Sequence, residues 1–267
     1  MVNEKNILVQ NIPVRVLTTG NADKAMVFVH GNSADAEMWL PQLEASSLSS
    51  KYQLVAFDLP GCGKSGKSKD YNMRYLASLI PQVVSQLGIE EYILVGLSLG
   101  TILIGEAAPQ LTGCKGLFLA SVNLTSNKYN PGTWLNPFPE VAALMSASVP
   151  DDVLNSFAYR LVLNNTAVAN TYKNSYQNTD PDFRLAIADT IAKQDWTDEI
   201  ENVLNMKVPI CIVFGKEDKI LHTNYLDDFP ARWRKKTFLI PDAGHFVNGE
   251  QPEAFNKLLI EFAQDVF

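Results

Sequence analysis

The sequence predicts an α/β fold: a mostly parallel, twisted sheet with helices on both faces and a helical insertion between two of its strands. Three observations lead there. Short, almost wholly apolar runs recur along the chain, and longer stretches with one apolar stripe separate them. The alternation lapses once, between about residues 123 and 200. Strands buried on both faces read as continuous apolar runs, and parallel neighbours need helical crossovers between them. With 267 residues, 46% hydrophobic and 19% charged, the chain can bury one large core.

Taken in order, Ile7 to Val9 and Val14 to Leu17 flank Pro13 and read as an antiparallel hairpin at the sheet edge. Residues 25–29, 53–57, 92–95, 116–120, 210–214 and 237–240 are the buried strands. Residues 72–87 place Leu76, Leu79, Ile80, Val83, Val84 and Leu87 on one helical stripe behind a capping Asn72. Residues 101–108 form a short apolar helix. Residues 251–266 form the last helix, with Phe255, Leu258, Leu259, Phe262 and Val266 inward and Pro252 in the first turn, where its missing N–H does no harm. Between 123 and 200, residues 151–164 and 182–194 are the clearest helices, and the Pro-, Gly- and aromatic-rich stretch 129–138 is a loop. The expected division is a core of residues 1–122 and 201–267 with a lid, 123–200, over the carboxyl edge of the sheet, where such folds bind ligands.

Composition narrows the function classes. Net charge is -7 and the isoelectric point is near 5.0, so phosphate backbones and anionic membrane surfaces are repelled and nucleic acid is not expected as a partner. No apolar run approaches the ~18 residues that span a bilayer, and the first residues lack the basic-then-apolar order of a secretory signal. The three cysteines, Cys62, Cys114 and Cys211, are an odd number without tight spacing, which suits free thiols in a reducing compartment better than disulfides or zinc. A cytoplasmic protein, monomeric or weakly self-associating, is the expectation.

Gly96-Leu97-Ser98-Leu99-Gly100 carries the chemistry. It joins a buried strand to an apolar helix, and a turn this tight crowds the residues two positions either side of the serine, which glycine relieves. The Leu99 N–H then stands at a helix start, where negative charge is stabilised. A serine hydroxyl is a poor nucleophile without a base in reach. Of the three histidines only His222 and His245 follow Ser98, and His245 lies on a loop of its own between the last strand and last helix. In elbow enzymes the order is serine, acid, histidine, so His245 is the expected base and His222 a structural contact. Asp218, at the end of a central strand, is the expected acid that holds the histidine tautomer, with Glu217 and Asp242 as local competitors. The oxyanion donors are expected from the Leu99 N–H and the Asn32 N–H, with the Asn32 side-chain amide a further candidate. His30 reads as a pin for that loop. Gly63-Lys64-Ser65 mimics a phosphate loop, but Asp58 stands where that motif needs glycine, so nucleotide binding is rejected.

Together, His30-Gly31-Asn32, Asp58-Leu59-Pro60-Gly61-Cys62-Gly63-Lys64-Ser65, Gly96 to Gly100, Gly215 to Asp218 and Gly244-His245 resemble the α/β-hydrolase superfamily, in particular its lid-bearing esterase-like members. The resemblance runs from about residue 25 to the end. His30-Gly31-Asn32 with Trp39 is similar to the dehalogenase branch, but that branch attacks with aspartate followed by tryptophan, and here Ser98 and Leu99 stand in those places. With serine in that place the resemblance implies a serine hydrolase acting through a Ser98 acyl-enzyme on carboxylic esters, thioesters or lactones, or on the carbon–carbon bond of an activated diketone, without metal or organic cofactor; the lid's aromatics lead to the expectation of small to medium acyl groups. It implies a small-molecule acyl substrate as the partner. An acyltransferase, a cofactor-free peroxidase-like enzyme or a ligand receptor on the same triad are the alternatives. Trp39, Trp134, Phe138, Met145, Phe157 and Phe246 are the expected substrate contacts, with Tyr129 and Tyr159 as further lid candidates.

Overall fold

All the expected strands pair into one sheet. The structure, a computed structural model, describes residues 1–267. Its strands are β1 (Asn3–Val9), β2 (Ile12–Thr19), β3 (Lys24–Val29), β4 (Gln53–Phe57), β5 (Glu91–Leu97), β6 (Cys114–Ala120), β7 (Ile210–Gly215) and β8 (Phe238–Ile240). They lie in the order β1-β2-β4-β3-β5-β6-β7-β8. Only β1 and β2 run antiparallel to their neighbours; β3 to β8 are parallel. Pro13 sits in β2 opposite Leu8, while the pairing of β2 with β4 begins at Val16. Its missing N–H therefore costs no bond on the inner side.

The chain leaves β3 toward β4 on one side and returns as β5 on the other, so the strand order reverses beside β3. That reversal opens a crevice at the carboxyl ends of β3 and β5. The crossover elements are α1 (Leu40–Leu43), α2 (Ser46–Ser49), α3 (Met73–Gln86) and α4 (Leu99–Ala107). Asn72 caps α3 by accepting from the Tyr75 N–H. Between β6 and β7 lie α5 (Pro131–Trp134), α6 (Asp151–Arg160), α7 (Thr166–Asn178), α8 (Pro181–Lys193) and α9 (Glu199–Asn205). The chain ends with α10 (Val247–Glu250) and α11 (Pro252–Val266).

The insertion departs from expectation in detail. The sequence does not predict α7: only Ala169, Tyr172, Ser175 and Tyr176 are buried, so its apolar stripe is too thin to show a period, and Asn165 supplies the cap. α6 ends at Arg160, four residues before the expected 164, because Leu161 turns its carbonyl to the His245 loop. The stretch 129–138 contains α5, capped by Asn130. α9 runs across residues 200 and 201 and packs on α4.

An aromatic cluster fixes α11 against the sheet. Phe118 of β6 meets Phe255 and Phe262 edge-on, and Trp39 lies between Phe28 and Phe255. All five are fully buried, each contributing roughly 1.5–3 kcal/mol by removal from water. No helix is long and apolar enough to cross a membrane.

Candidate active site

One residue, Ser98, converts β5 into α4. Its backbone sits at φ +52 and ψ -122, a conformation that costs a non-glycine residue about 1–3 kcal/mol. Hydrogen bonds hold it there. The Ser98 N–H donates to the Ala120 carbonyl at 3.0 Å, and the Ser98 carbonyl accepts from the Thr101 N–H at 2.7 Å and the Thr101 hydroxyl at 2.8 Å. A Cβ on Gly100 would stand 2.3 Å from the Val29 carbonyl oxygen, so glycine lets α4 pack onto the end of β3. A Cβ on Gly31 would stand 3.3 Å from Ser98 Cβ, which brings the loop after β3 over the serine.

That loop presents the Asn32 N–H, and α4 begins with the Leu99 N–H; neither has a hydrogen-bond partner within the chain. Both residues line the cleft with Ser98. The Asn32 side chain is otherwise engaged: Nδ2 donates to the Leu144 carbonyl at 3.0 Å, and Oδ1 accepts from the Ser33 hydroxyl at 2.9 Å. One Asn32 Nδ2 proton is thus committed to the Leu144 carbonyl, while the Asn32 backbone N–H is unpartnered.

His245 Nδ1 lies 2.9 Å from Asp218 Oδ2, and both side chains are almost fully buried. The second oxygen, Asp218 Oδ1, accepts from the Ile220 N–H at 2.8 Å and the Leu221 N–H at 3.1 Å, so the carboxylate cannot turn. A proton on Nδ1 held by Asp218 leaves Nε2 as the basic nitrogen. Ser98 Oγ is not hydrogen-bonded to His245, though both line one cleft. Unliganded sites commonly close this bond only with substrate.

The competitors are placed elsewhere. Glu217 accepts from the Ala243 N–H at 3.2 Å. Asp242 is exposed in a left-handed turn. His222 is exposed and is tied by its N–H to the Trp134 carbonyl. His30 is fully buried; its Nδ1 contacts the Gly31 carbonyl at 2.8 Å, and its Nε2 accepts from the Leu59 N–H at 3.0 Å. Burial depresses its pKa, so it pins two loops as a neutral ring. Asp58 accepts from the Ala36 and Lys64 N–H groups, so the Gly63-Lys64-Ser65 turn wraps a carboxylate. Cys62, Cys114 and Cys211 are free thiols, and burial pushes the Cys62 and Cys211 thiols well up. No three His, Cys, Asp or Glu side chains converge as a metal site.

The cleft is partly open to solvent, and 15 of its 21 lining residues are hydrophobic. Among the expected contacts, Trp134, Met145, Phe157 and Phe246 line it. Trp39 does not: it is a core residue between Phe28 and Phe255. Phe138 does not either: it is stacked on Phe157, with the Arg160 guanidinium over its ring. Tyr129 packs on Tyr225, and Tyr159 is exposed. Sequence reasoning missed Met73, Ile102, Asn123, Leu144, Tyr172 and Ile187. Ile187 and Ile191 stand four apart on α8 and carried a readable stripe; Asn123 and Met73 offered no signal.

The chain matches the model of the alpha/beta hydrolase family over residues 26–258. It is 26% identical over 277 residues to the dihydrolipoyllysine-residue acetyltransferase component of an acetoin cleaving system from Cupriavidus necator, covering 94% of this chain and 66% of that protein. It thus spans just under two thirds of that relative. It is 22% identical over 246 residues to 3-oxoadipate enol-lactonase 1 from Acinetobacter baylyi, covering 91% and 89% of the two chains. Among solved structures, the N-acyl homoserine lactonase AidH superposes with a TM-score of 0.89 at 22% identity, covering 99% of this chain and 98% of that one. That likeness is one of fold.

Proposed function

The chain belongs to the alpha/beta hydrolase family, and from that premise we propose that it is a serine hydrolase of neutral carboxylic esters, lactones included, with short to medium apolar acyl groups. The observation that carries this reading is convergence. Ser98, the Asp218-bound His245 and two unpartnered backbone N–H groups meet at one apolar cleft. In the proposed reaction His245 Nε2 takes the Ser98 proton as Oγ attacks the acyl carbon, and the Asn32 and Leu99 N–H groups bind the oxyanion. His245 then protonates the leaving alcohol and activates water against the acyl-enzyme. The only charged or titratable side chain lining the cleft besides Tyr172 is His245 itself, which supports an uncharged substrate. The lactonase names among the relatives fit the same chemistry, since a lactone is a cyclic ester.

A second reading, acyl transfer, is favoured by the acetyltransferase name of one relative. It uses the same acyl-enzyme with an alcohol or thiol in place of water.

One experiment tests both. p-Nitrophenyl acetate and butyrate are offered to the wild type, Ser98→Ala and His245→Ala, with and without added alcohol, recording burst and steady state. Hydrolysis by the wild type and a loss of at least about 10³-fold in both variants is expected. Partition of the acyl group to alcohol, with slow turnover in water, points to the transferase. Unchanged turnover by Ser98→Ala refutes the reading.

A further inference from the structure

The histidine loop is clasped to the insertion by one carboxylate. Glu250, the last residue of α10, accepts from the Gly244 N–H through Oε2 at 2.7 Å. Its other oxygen, Oε1, accepts from the Leu163 N–H at 2.7 Å and the Asn164 N–H at 3.3 Å, just past the end of α6. The insertion answers in the other direction: the Leu161 carbonyl accepts from the His245 N–H at 2.9 Å and the Phe246 N–H at 3.3 Å. On the core side the Ser121 hydroxyl donates to the His245 carbonyl at 2.7 Å. The fit is close, since a Cβ on Gly244 would lie 3.1 Å from the Leu161 carbonyl oxygen and 3.2 Å from Glu250 Oε2.

These contacts have a purpose that the triad alone does not serve. Asp218 fixes the imidazole tautomer, but the height of the ring above Ser98 depends on where the backbone of residues 244–246 rests. That backbone is held between Ser121 of the core and Leu161 of the insertion, and Glu250 closes the clasp. Hydrogen bonds to an ionised acceptor are about twice as strong as neutral ones. Glu250 thus holds the histidine loop through Gly244 and, with two bonds from Leu163 and Asn164, ties it to the insertion.

We propose that Glu250 is a positioning residue, which sets His245 against Ser98 only when residues 161–164 of the insertion are docked. The inference rests on the proposed roles of Ser98 and His245. The insertion then completes the active site and is not a cover that swings clear during turnover.

The test is Glu250→Gln, which keeps shape and one acceptor oxygen but turns an amide NH₂ toward an N–H donor, together with Glu250→Asp, too short to reach both partners. With p-nitrophenyl butyrate, kcat is expected to fall roughly 10- to 100-fold in both while KM stays within about threefold, the signature of a misplaced base. The low-field proton resonance of the His245–Asp218 bond is expected to broaden or vanish in parallel. A natively folded Glu250→Gln that keeps kcat within twofold, or that loses only KM, overturns the proposal. Should neither variant fold, the wild type decides. On heating, the low-field resonance and the exchange protection of the Leu163 amide are expected to be lost together before global unfolding; a resonance that outlasts that protection overturns the clasp. Ser98→Ala on the same ester separately tests the hydrolase reading, and the resonance experiment stands whatever its outcome.

Discussion

Ser98 and His245 face the same cleft but are held by different parts of the molecule. The serine is held by the core alone: β5, α4, the Ala120 carbonyl and close glycine contacts with the end of β3. Three other site elements each carry a bond to the insertion. The His245 N–H goes to Leu161, the Ile220 carbonyl accepts from the Asn136 N–H at 2.8 Å beside the Leu135–Leu221 bridge, and Asn32 Nδ2 goes to Leu144. Ser98, the proposed nucleophile, is thus pre-set by the sheet, whereas the alignment of His245, the Asp218 loop and the Asn32 loop, the proposed base, acid and oxyanion donor, depends on how the insertion docks. Stability and alignment should therefore be separable by mutation.

The largest expected effect is on the insertion-linked side. Asp218→Asn keeps Oδ1 on the Ile220 and Leu221 N–H groups. The new NH₂ then faces His245 Nδ1, which must accept, so the proton moves to Nε2 and the base is lost. kcat/KM is expected to fall about 10³- to 10⁴-fold, ~4–5.5 kcal/mol, with the fold intact by circular dichroism. A loss under tenfold would show that Asp218 does not hold the tautomer.

A smaller effect, of the opposite kind, is expected in the core. Gly100→Ala puts a Cβ 2.3 Å from the Val29 carbonyl oxygen and 2.9 Å from that of His30. Both obstacles are backbone, so relief requires α4 to move off β3. About 1–3 kcal/mol of stability is expected to go, lowering Tm by several degrees, and activity falls with it because the same shift displaces Ser98 and Asn32. A variant of native Tm with lost activity would break the distinction between the regions.

The same distinction explains what was legible in the sequence. Core strands announce themselves because both faces are buried, and the expected runs differ from the observed bounds by three residues or fewer. The turn at Ser98 is legible because it demands small neighbours at 96 and 100, and the His245 loop beside the same cleft because few histidines exist. Asp218 required the strand end before it. The insertion gives little away. α7 buries tyrosines among asparagine, serine and threonine, and Trp39 and Phe138 drew attention as aromatics although one is core and the other backs the cleft wall. The ties that place the His245 and Asn32 loops run to backbone carbonyls and N–H groups of residues such as Leu144, Leu161 and Leu163, whose side chains do not encode them.

The smallest expected effect lies on the seam between the two regions. Glu199 of α9 is fully buried against α4, its Cβ 2.7 Å from where a Cβ on Gly105 would stand. One oxygen accepts from the Thr125 N–H at 2.7 Å, while Oε1 and the Thr125 hydroxyl have no partner. Burial pushes its carboxyl well above the usual range, with Glu106 and Asp198 adding to the rise. Below the unfolded-state value, about 4.3, both folded and unfolded chains hold this proton and its stabilising share is complete. As pH rises toward the folded value the unfolded chain releases the proton first, and stability declines. Glu199→Gln removes that decline, keeps the acceptor for Thr125 and offers an NH₂ to its hydroxyl. Tm at pH 8 is expected to rise by roughly 2–4 °C, about 1 kcal/mol, while the difference from wild type shrinks toward zero at pH 4. Activity toward p-nitrophenyl butyrate should not follow, because no bond links Glu199 to the loops that carry Ser98, Asp218 and His245. Equal gains at both pH values would locate the effect in packing, and a loss at pH 8 would mean that the seam depends on the charge.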